Sequence, residues 1–298
     1  MELNIWCILD GKRGHEKQIE DLIFFINKKI KTNITKIKKI GFLDTILNFL
    51  RIRNDTCKYF PLPDLIIAAG HQTHLDALQK KYKYGGKVIL LMKPTLPTIL
   101  FDLIIAPLHD KFFYQKNIYL TNGPLNKIIN KKKQKKNKGL ILIGGPSKNF
   151  DWSSRKIEDE ILQIIKNNRQ LKLTLGTSRR TPDHFISKLY GEVFKYVDIK
   201  MHNNVSSNWL EMEVEKSEFS WVTQDSISML YDLLNSGSKV TCISLIPKNK
   251  KFIKLYENLY LNKRINMTNK KFQTLEIYNT YKSTAELSAE YILDKFIH

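Results

Sequence analysis

The sequence predicts an α/β protein of two Rossmann-like domains facing across a cleft, and three observations carry that prediction. Short apolar runs rich in Ile, Leu and Val alternate with helix-length segments, nearly every run ends in a glycine-containing or polar loop, and the pattern restarts after one lysine-rich stretch. A chain of 298 residues fits two domains at roughly 150 residues each. Its 42% hydrophobic content is enough to give each a core, which excludes a disordered or disulfide-framework protein.

In the first half, the chain order gives a strand at Leu3 to Leu9, a helix from Glu16 to Lys29 and a strand near Ile34 to Ile40. Strands at Asp64 to Ala69, Lys87 to Met92 and Asp102 to Ala106 follow, with a helix from Thr73 to Tyr82 between the first two. The apolar stretch Val88 to Ile105 is cut by Lys93, Pro94, Pro97 and Asp102, so it is not a membrane span. Domain one is expected over 1–127 and a basic linker over 128–138.

The second domain, 139–280, opens with a strand at Gly139 to Ile143 and the loop Gly144-Gly145-Pro146-Ser147-Lys148, then a helix from Ser154 to Asn167. Strand Leu171 to Leu175 leads into Thr177-Ser178-Arg179-Arg180-Thr181-Pro182, where Thr181 can cap a helix and Pro182 can open it. Strand Phe219 to Val222, a helix from Ile227 to Asn235 closed by Gly237, and strand Lys239 to Ser244 complete the repeat of the pattern. Residues 281–298 read as a terminal helix carrying Leu287, Tyr291 and Phe296 at near-helical spacing.

Charge bounds the partners. Lys and Arg number 49 against 29 Asp and Glu, and the net charge of +20 favours anionic partners: nucleotides, phospholipid surfaces or nucleic acid. The lysines are scattered, as in a solvated surface, except in the run Lys131, Lys132, Lys133, Lys135, Lys136 and Lys138. No RNA-binding or zinc-finger pattern accompanies the charge, so nucleic acid is not the expected partner. Cys7, Cys57 and Cys242 are far apart in sequence, which indicates neither a zinc site nor disulfides and makes a reducing cytoplasm the default.

Ligands of open parallel sheets bind where the strands' carboxyl ends meet helix N-termini, and every polar motif falls at such an end. The first loop places Asp10, Lys12 and His15 beside Gly11 and Gly14, a set that suits an anion or an acid–base pair and equally a tight turn with capping side chains. Gly70, His71 and Thr73 follow the strand Asp64 to Ala69; His71 and His74 lack a third ligand at a telling spacing, so no metal is expected there. In the second half, Gly144 and Gly145 allow close backbone approach. Ser178, Arg179 and Arg180 offer a phosphate what it needs, and Thr223, Asp225, Ser226 and Ser228 surround a helix start, with Asp232 one to two turns further on. Neither GxGxxG nor a P-loop is present, and no cofactor is indicated.

These segments together resemble a known family. Asp10-Gly11-Lys12-x-Gly14-His15, Pro63-Asp64-Leu65-Ile66-Ile67-Ala68-Ala69-Gly70, Gly144-Gly145-Pro146-Ser147-Lys148, Thr177-Ser178-Arg179-Arg180-Thr181-Pro182 and Val222-Thr223-x-Asp225-Ser226-x-Ser228-Met229 resemble the bacterial branch of the "elongated mitochondria", or mitochondrial fission, family. That family is similar to two-domain GT-B glycosyltransferases of the lipid-linked N-acetylglucosamine transferase type. The resemblance implies a nucleotide-sugar donor held by the C-terminal domain, an acceptor held by the N-terminal domain near a membrane, and a C-terminal helix over 281–298 that returns to the first domain. His71 stands where the family usually has Arg, and Asp232 where it has Glu.

The expected function is therefore a metal-independent glycosyltransferase that moves a sugar from a nucleotide-sugar to a lipid-linked or cell-envelope acceptor, at the cytoplasmic face of a membrane and peripheral to it. His15 is expected as the base, with Asp10 as alternative base or orienting group, and Lys12, Gly14, Gly70, His71 and Thr73 lie on the acceptor side. Gly144, Gly145, Ser178, Arg179, Arg180, Thr223, Asp225, Ser226 and Ser228 are expected at the donor phosphates and Asp232 at the ribose. The alternative is a GT-B scaffold without chemistry that recruits a membrane-remodelling partner.

Overall fold

The computed structural model describes residues 2–39, 56–110, 115–128, 135–188, 196–206, 208–276 and 282–297. The chain divides into two units, Met1–Lys127 with Lys282–His298, and Ile128–Tyr281. The first contains β1 (Leu3–Leu9), α1 (Arg13–Lys29), β2 (Thr32–Lys38), β3 (Leu65–Ala69), α2 (His74–Tyr84), β4 (Lys87–Leu91), β5 (Leu103–Pro107) and β6 (Ile118–Thr121). The second contains β7 (Lys135–Leu142), β8 (Phe150–Asp151), α3 (Ser154–Asn167), β9 (Lys172–Gly176), α4 (Asp183–Lys188), β10 (Val197–Lys200) and α5 (Trp209–Lys216). It continues through β11 (Ser217–Thr223), α6 (Ile227–Ser236), β12 (Lys239–Ile243), β13 (Ile246–Pro247), α7 (Lys250–Leu261) and β14 (Asn266–Met267). The last helix, α8 (Thr284–Phe296), belongs to the first unit.

Unit one is a parallel sheet in the order β2-β1-β3-β4-β5-β6. Its inner strands carry unbroken apolar runs because both faces are covered. Leu3, Ile5 and Cys7 of β1 point into a core shared with α1 and α8, while Trp6 and Ile8 point into the opposite core with Ala77 of α2. Unit two repeats the plan with order β10-β9-β7-β11-β12-β14, all parallel. Leu140 and Leu142 pack with α6 and α7, and Ile141 and Ile143 with α3.

In each sheet the chain leaves a central strand to one side and later returns to pair on its other side. In unit one this reversal falls between β1 and β3; in unit two it falls between β7 and β11. Such switch points open a crevice at the strands' carboxyl ends, the usual ligand site of open α/β sheets.

Several boundaries differ from the sequence expectation. α1 begins at Arg13 rather than Glu16, which places His15 inside its first turn. β2 starts two residues before the expected Ile34, and Ile40 lies outside the described residues. β7 begins at Lys135, so the second half of the lysine run is strand rather than linker. Lys138 pairs there with Glu213, and Lys131, Lys132 and Lys133 lie outside the described residues. The buried face of α8 is Ala285, Ser288, Ala289, Ile292 and Leu293; of the three residues whose spacing suggested the helix, Tyr291 and Phe296 pack against the same core and Leu287 is 43% exposed. Small residues let α8 approach α1 closely, and the larger, more widely spaced side chains fall at the edges.

Candidate functional site

In unit one the site residues converge on the β1/β3 switch point. Asp10, one residue past β1, is held in place twice, by the Lys12 amide donating to Oδ1 at 3.1 Å and by His15 Nδ1, 2.8 Å from Oδ2. The Asp10 carboxylate has no solvent exposure, and the His15 side chain is 22% exposed. Against a carboxylate Nδ1 is the donor, so in the neutral imidazole the lone pair is on Nε2. The Lys12 ammonium lies 3.7 Å from Asp10 Oδ2 and is itself half-exposed.

Gly70, one residue past β3, is what allows the pair to sit there. It has φ +89°, and a Cβ added to it would collide with the His15 ring and lie 2.9 Å from Asp10 Oδ2. Gly14, by contrast, is exposed, and no described neighbour lies within 4 Å of a Cβ there, so close approach is not its role. Thr73 is fully buried and donates its hydroxyl to Gly70 O at 2.8 Å; it braces the turn rather than facing a ligand. His71 is exposed at the start of the short turn His71–Thr73. His74 is buried against the Phe101 ring with Nδ1 3.2 Å from the Thr95 hydroxyl, and burial, helped by His71, lowers its pKa to about 4.

In unit two, three loops lock together at the β7/β11 switch point. The Gly144 amide donates to Thr223 Oγ1 at 2.8 Å, and the Gly145 amide to Asp225 Oδ2 at 2.9 Å. From the loop after β9, the Ser178 hydroxyl donates to Gly144 O at 2.8 Å, and the Thr181 hydroxyl lies 2.5 Å from the same carbonyl. A Cβ on Gly144 would stand 2.6 Å from Asp225 Oδ1, and one on Gly145 would strike the Arg180 backbone. Both glycines are there for close packing between loops.

The two arginines have different fates. Arg180 donates through Nη2 to Asp225 Oδ2 at 2.8 Å and through Nη1 to Gly145 O at 2.9 Å, which makes it a clamp across the loops. Arg179 is exposed and makes no ion pair among the described residues. Burial raises the Asp225 pKa, opposed by the Gly145 amide, the Thr223 hydroxyl and the Arg180 guanidinium. Because Asp225 turns toward Gly145 and Arg180, it does not cap α6; nor does Ser226, whose side chain makes no cap hydrogen bond. The first amides of α6 therefore have no side-chain cap, and Ser228 stands exposed in that first turn.

Two expectations about individual side chains need correction. Asp232 is 2% exposed inside α6, because it follows Tyr231 and precedes Leu233 and Leu234 on a helix buried nearly all round, so it does not present a carboxylate to a ribose. Thr181 does not cap the next helix: its Oγ1 accepts from the Ser178 amide at 2.8 Å and turns back toward β7. Sequence reasoning missed Gln224 and Tyr256. The Tyr256 phenol on α7 donates to Gln224 O at 2.5 Å and Gln224 Oε1 accepts from Leu245 N at 2.7 Å, tying the Asp225 loop to the loop after β12. No local spacing connects residues so far apart in sequence. Among the described residues no three His, Cys, Asp or Glu side chains gather to hold a metal ion.

Two doubly wound parallel sheets, each carrying polar loops at its switch point, define a protein of the GT-B-type fold. The chain belongs to the family described as mitochondrial fission ELM1, whose sequence profile matches residues 13–296. It is similar to the protein RP120 of Rickettsia prowazekii (strain Madrid E), 27% identical over 96% of this chain and 97% of the relative. Among solved structures it resembles a UDP-glucosyltransferase from Polygonum tinctorium capable of glucosylating indoxyl, with TM-score 0.59, 7% identity and coverage of 99% and 89% of the two chains. It also resembles the UDP-GlcNAc 2-epimerase from Neisseria meningitidis bound to UDP-GlcNAc, with TM-score 0.55, 13% identity and 99% coverage of each chain. At such identities the likeness is one of fold.

Proposed function

We propose that this protein is a metal-independent glycosyltransferase that moves a sugar from a nucleotide-sugar to a lipid-linked or cell-envelope acceptor. The observation that carries the reading is the Asp10–His15 pair, 2.8 Å apart at the switch point of unit one and shaped by Gly70. A scaffold needs a stable turn there; it does not need an imidazole with one nitrogen fixed by a carboxylate of zero exposure and the other left for a proton. In this reading His15 Nε2 takes the proton of an acceptor hydroxyl, and Asp10 keeps the tautomer and supports the imidazolium that forms. Lys12, beside the pair, and His71, on the adjacent loop, contribute to holding the acceptor.

Unit two supplies the donor site. As the bond to the sugar breaks, charge collects on the departing diphosphate, and preorganised donors are the means to stabilise it. Arg179, the exposed Ser228 and the uncapped amides of α6 are the groups available for that task, with the Gly144–Gly145 loop beside them. The solved structures named above, one a UDP-glucosyltransferase and one an epimerase bound to UDP-GlcNAc, support a nucleotide-sugar as the ligand class.

Attachment to an anionic membrane surface at its cytoplasmic face is part of the proposal and rests on the net charge of +20. Among the described residues no helix is long and apolar enough to cross a membrane. Vesicle co-sedimentation that ignores both anionic lipid content and salt would refute the attachment.

Thermal unfolding against UDP-, GDP-, CMP- and ADP-sugars tests the donor reading. One of them at about 100 times its dissociation constant adds about 2.7 kcal/mol of stability. If none stabilises the protein, the enzyme reading falls. If one binds but no acceptor is ever glycosylated, the scaffold that recruits a partner is left.

A further inference from the structure

The Arg180–Asp225 pair of unit two carries an inference that rests on the donor reading above and goes beyond it. Arg180 gives Nη2 to Asp225 Oδ2 at 2.8 Å, and the amide of Gly145 donates to the same oxygen at 2.9 Å. A guanidinium and a glycine-loop amide converging on one oxygen at a strand end are the donors a phosphate takes. Here a carboxylate of the protein takes them.

The two partners are placed unequally. The Asp225 side chain has no solvent exposure, and Gly144 fits against it so closely that a Cβ there would lie 2.6 Å from Oδ1. Oδ1 itself has no hydrogen-bond partner among the described residues. Arg180 is 43% exposed, and its remaining hydrogen bonds go to the loop carbonyls of Gly145 and Pro146 at 2.9 and 3.3 Å. The guanidinium can turn outward, but the carboxylate cannot follow it.

We propose that Asp225 is an internal competitor for the donor's diphosphate: the ligand takes Arg180 and the Gly145 amide from Asp225, and the carboxylate left behind takes up a proton from solvent. The proton balances the charge that Arg180 removes when it leaves. The titratable groups facing Asp225 are Arg180 from the loop after β9 and the Tyr256 phenol from α7, with the Cys242 thiol of β12 and the Tyr231 phenol of α6 behind Tyr256. Phenols and thiols are uncharged near neutral pH, so Arg180 is the cation whose departure matters. Burial already favours the protonated carboxyl; the Gly145 amide, the Thr223 hydroxyl and the guanidinium oppose it, and the ligand removes the first and the last of these. Diphosphate binding therefore strengthens as pH falls.

Calorimetric titration of the full chain with UDP and with inorganic pyrophosphate tests this. At about pH 8, roughly two units above the second ionisation of a phosphate, UDP neither gains nor loses its own proton, and buffers of different ionisation heat report the protein's uptake; pyrophosphate, which still holds its last proton at that pH, shows only whether a diphosphate binds without the nucleoside. The expected result is uptake of close to one proton per diphosphate, with affinity rising as pH is lowered. Asp225→Asn, checked for folding by its thermal transition, takes up no proton and binds roughly tenfold tighter or more at about pH 8. If that variant does not fold, the uptake by the parent protein decides. Binding by the parent without proton uptake overturns the inference and leaves the donor reading intact, as does a folded Asp225→Asn that binds no tighter. If neither UDP, nor pyrophosphate, nor any other nucleoside diphosphate binds the parent, the donor reading fails and the inference falls with it.

Discussion

The His15 imidazole occupies the space that a side chain on Gly70 would need: a Cβ on Gly70 would collide with the ring, and the same Cβ would stand 2.9 Å from Asp10 Oδ2. Two loops far apart in sequence, after β1 and after β3, are thus matched to each other around one acid–base pair. Gly70→Ala should therefore disturb both fold and chemistry. An alanine at φ +89° carries backbone strain of about 1–3 kcal/mol before any collision is counted. The urea midpoint should fall, and activity should fall further than stability explains. A variant with unchanged stability and turnover would show that Gly70 does not shape the pair.

Arg179→Ala separates the two neighbouring arginines. Arg179 is exposed and makes no ion pair among the described residues, so its loss should leave the melting temperature near that of the parent. A charge-assisted hydrogen bond to a phosphate is worth about 1.5–3 kcal/mol, which predicts roughly 10- to 100-fold weaker nucleoside diphosphate binding. Equal affinity, measured by calorimetry, would remove Arg179 from the proposed donor site.

The terminal helix is a structural part of unit one. Thr284 accepts the Asn126 amide at 3.0 Å and donates to Pro124 O at 3.0 Å, while Ile292 is fully buried in the core with α1 and β1. Ile292→Ala should destabilise by about 2–5 kcal/mol. Hydrogen exchange should show the loss in unit one and not in unit two. Equal loss in both units, or no loss, would contradict this assignment.

Acid should weaken unit one through His74. Its pKa of about 4 in the fold lies below the ordinary value of 6.5, so between those limits the unfolded chain binds the extra proton. The contribution is fully present above 6.5 and is lost as pH falls toward 4, a change on the order of 3 kcal/mol. Denaturant midpoints measured across that window should decline in the parent and decline less in His74→Gln. Parallel curves for the two would show that His74 is not the group responsible.

Much of this architecture was legible because parallel strands covered on both faces leave unbroken apolar runs. Leu65–Ala69 and the Val88–Leu91 part of β4 read that way directly, and Leu3–Leu9 is broken only by Asn4. The edges were not: β6, β10 and β14 are short, and β10 is partly exposed, so they carry little apolar signal. Helices α5 and α7 went unread as well. At the candidate site, motif and loop position singled out Asp10, His15 and the Gly144–Gly145 loop, but pairing in space decides what each residue touches. Arg179 and Arg180 are adjacent in sequence and equally basic, yet only Arg180 meets Asp225, a contact across 45 positions that no local spacing reveals. Asp232 followed the motif and ended inside a buried helix.

Turnover and donor binding of His15→Ala, measured on the same folded preparation, test the central claim most directly. If His15 takes the acceptor's proton, sugar transfer falls about 10²- to 10⁴-fold while nucleotide-sugar affinity, which the proposal assigns to unit two, stays near that of the parent. Transfer by His15→Ala at the parent's rate would contradict the account.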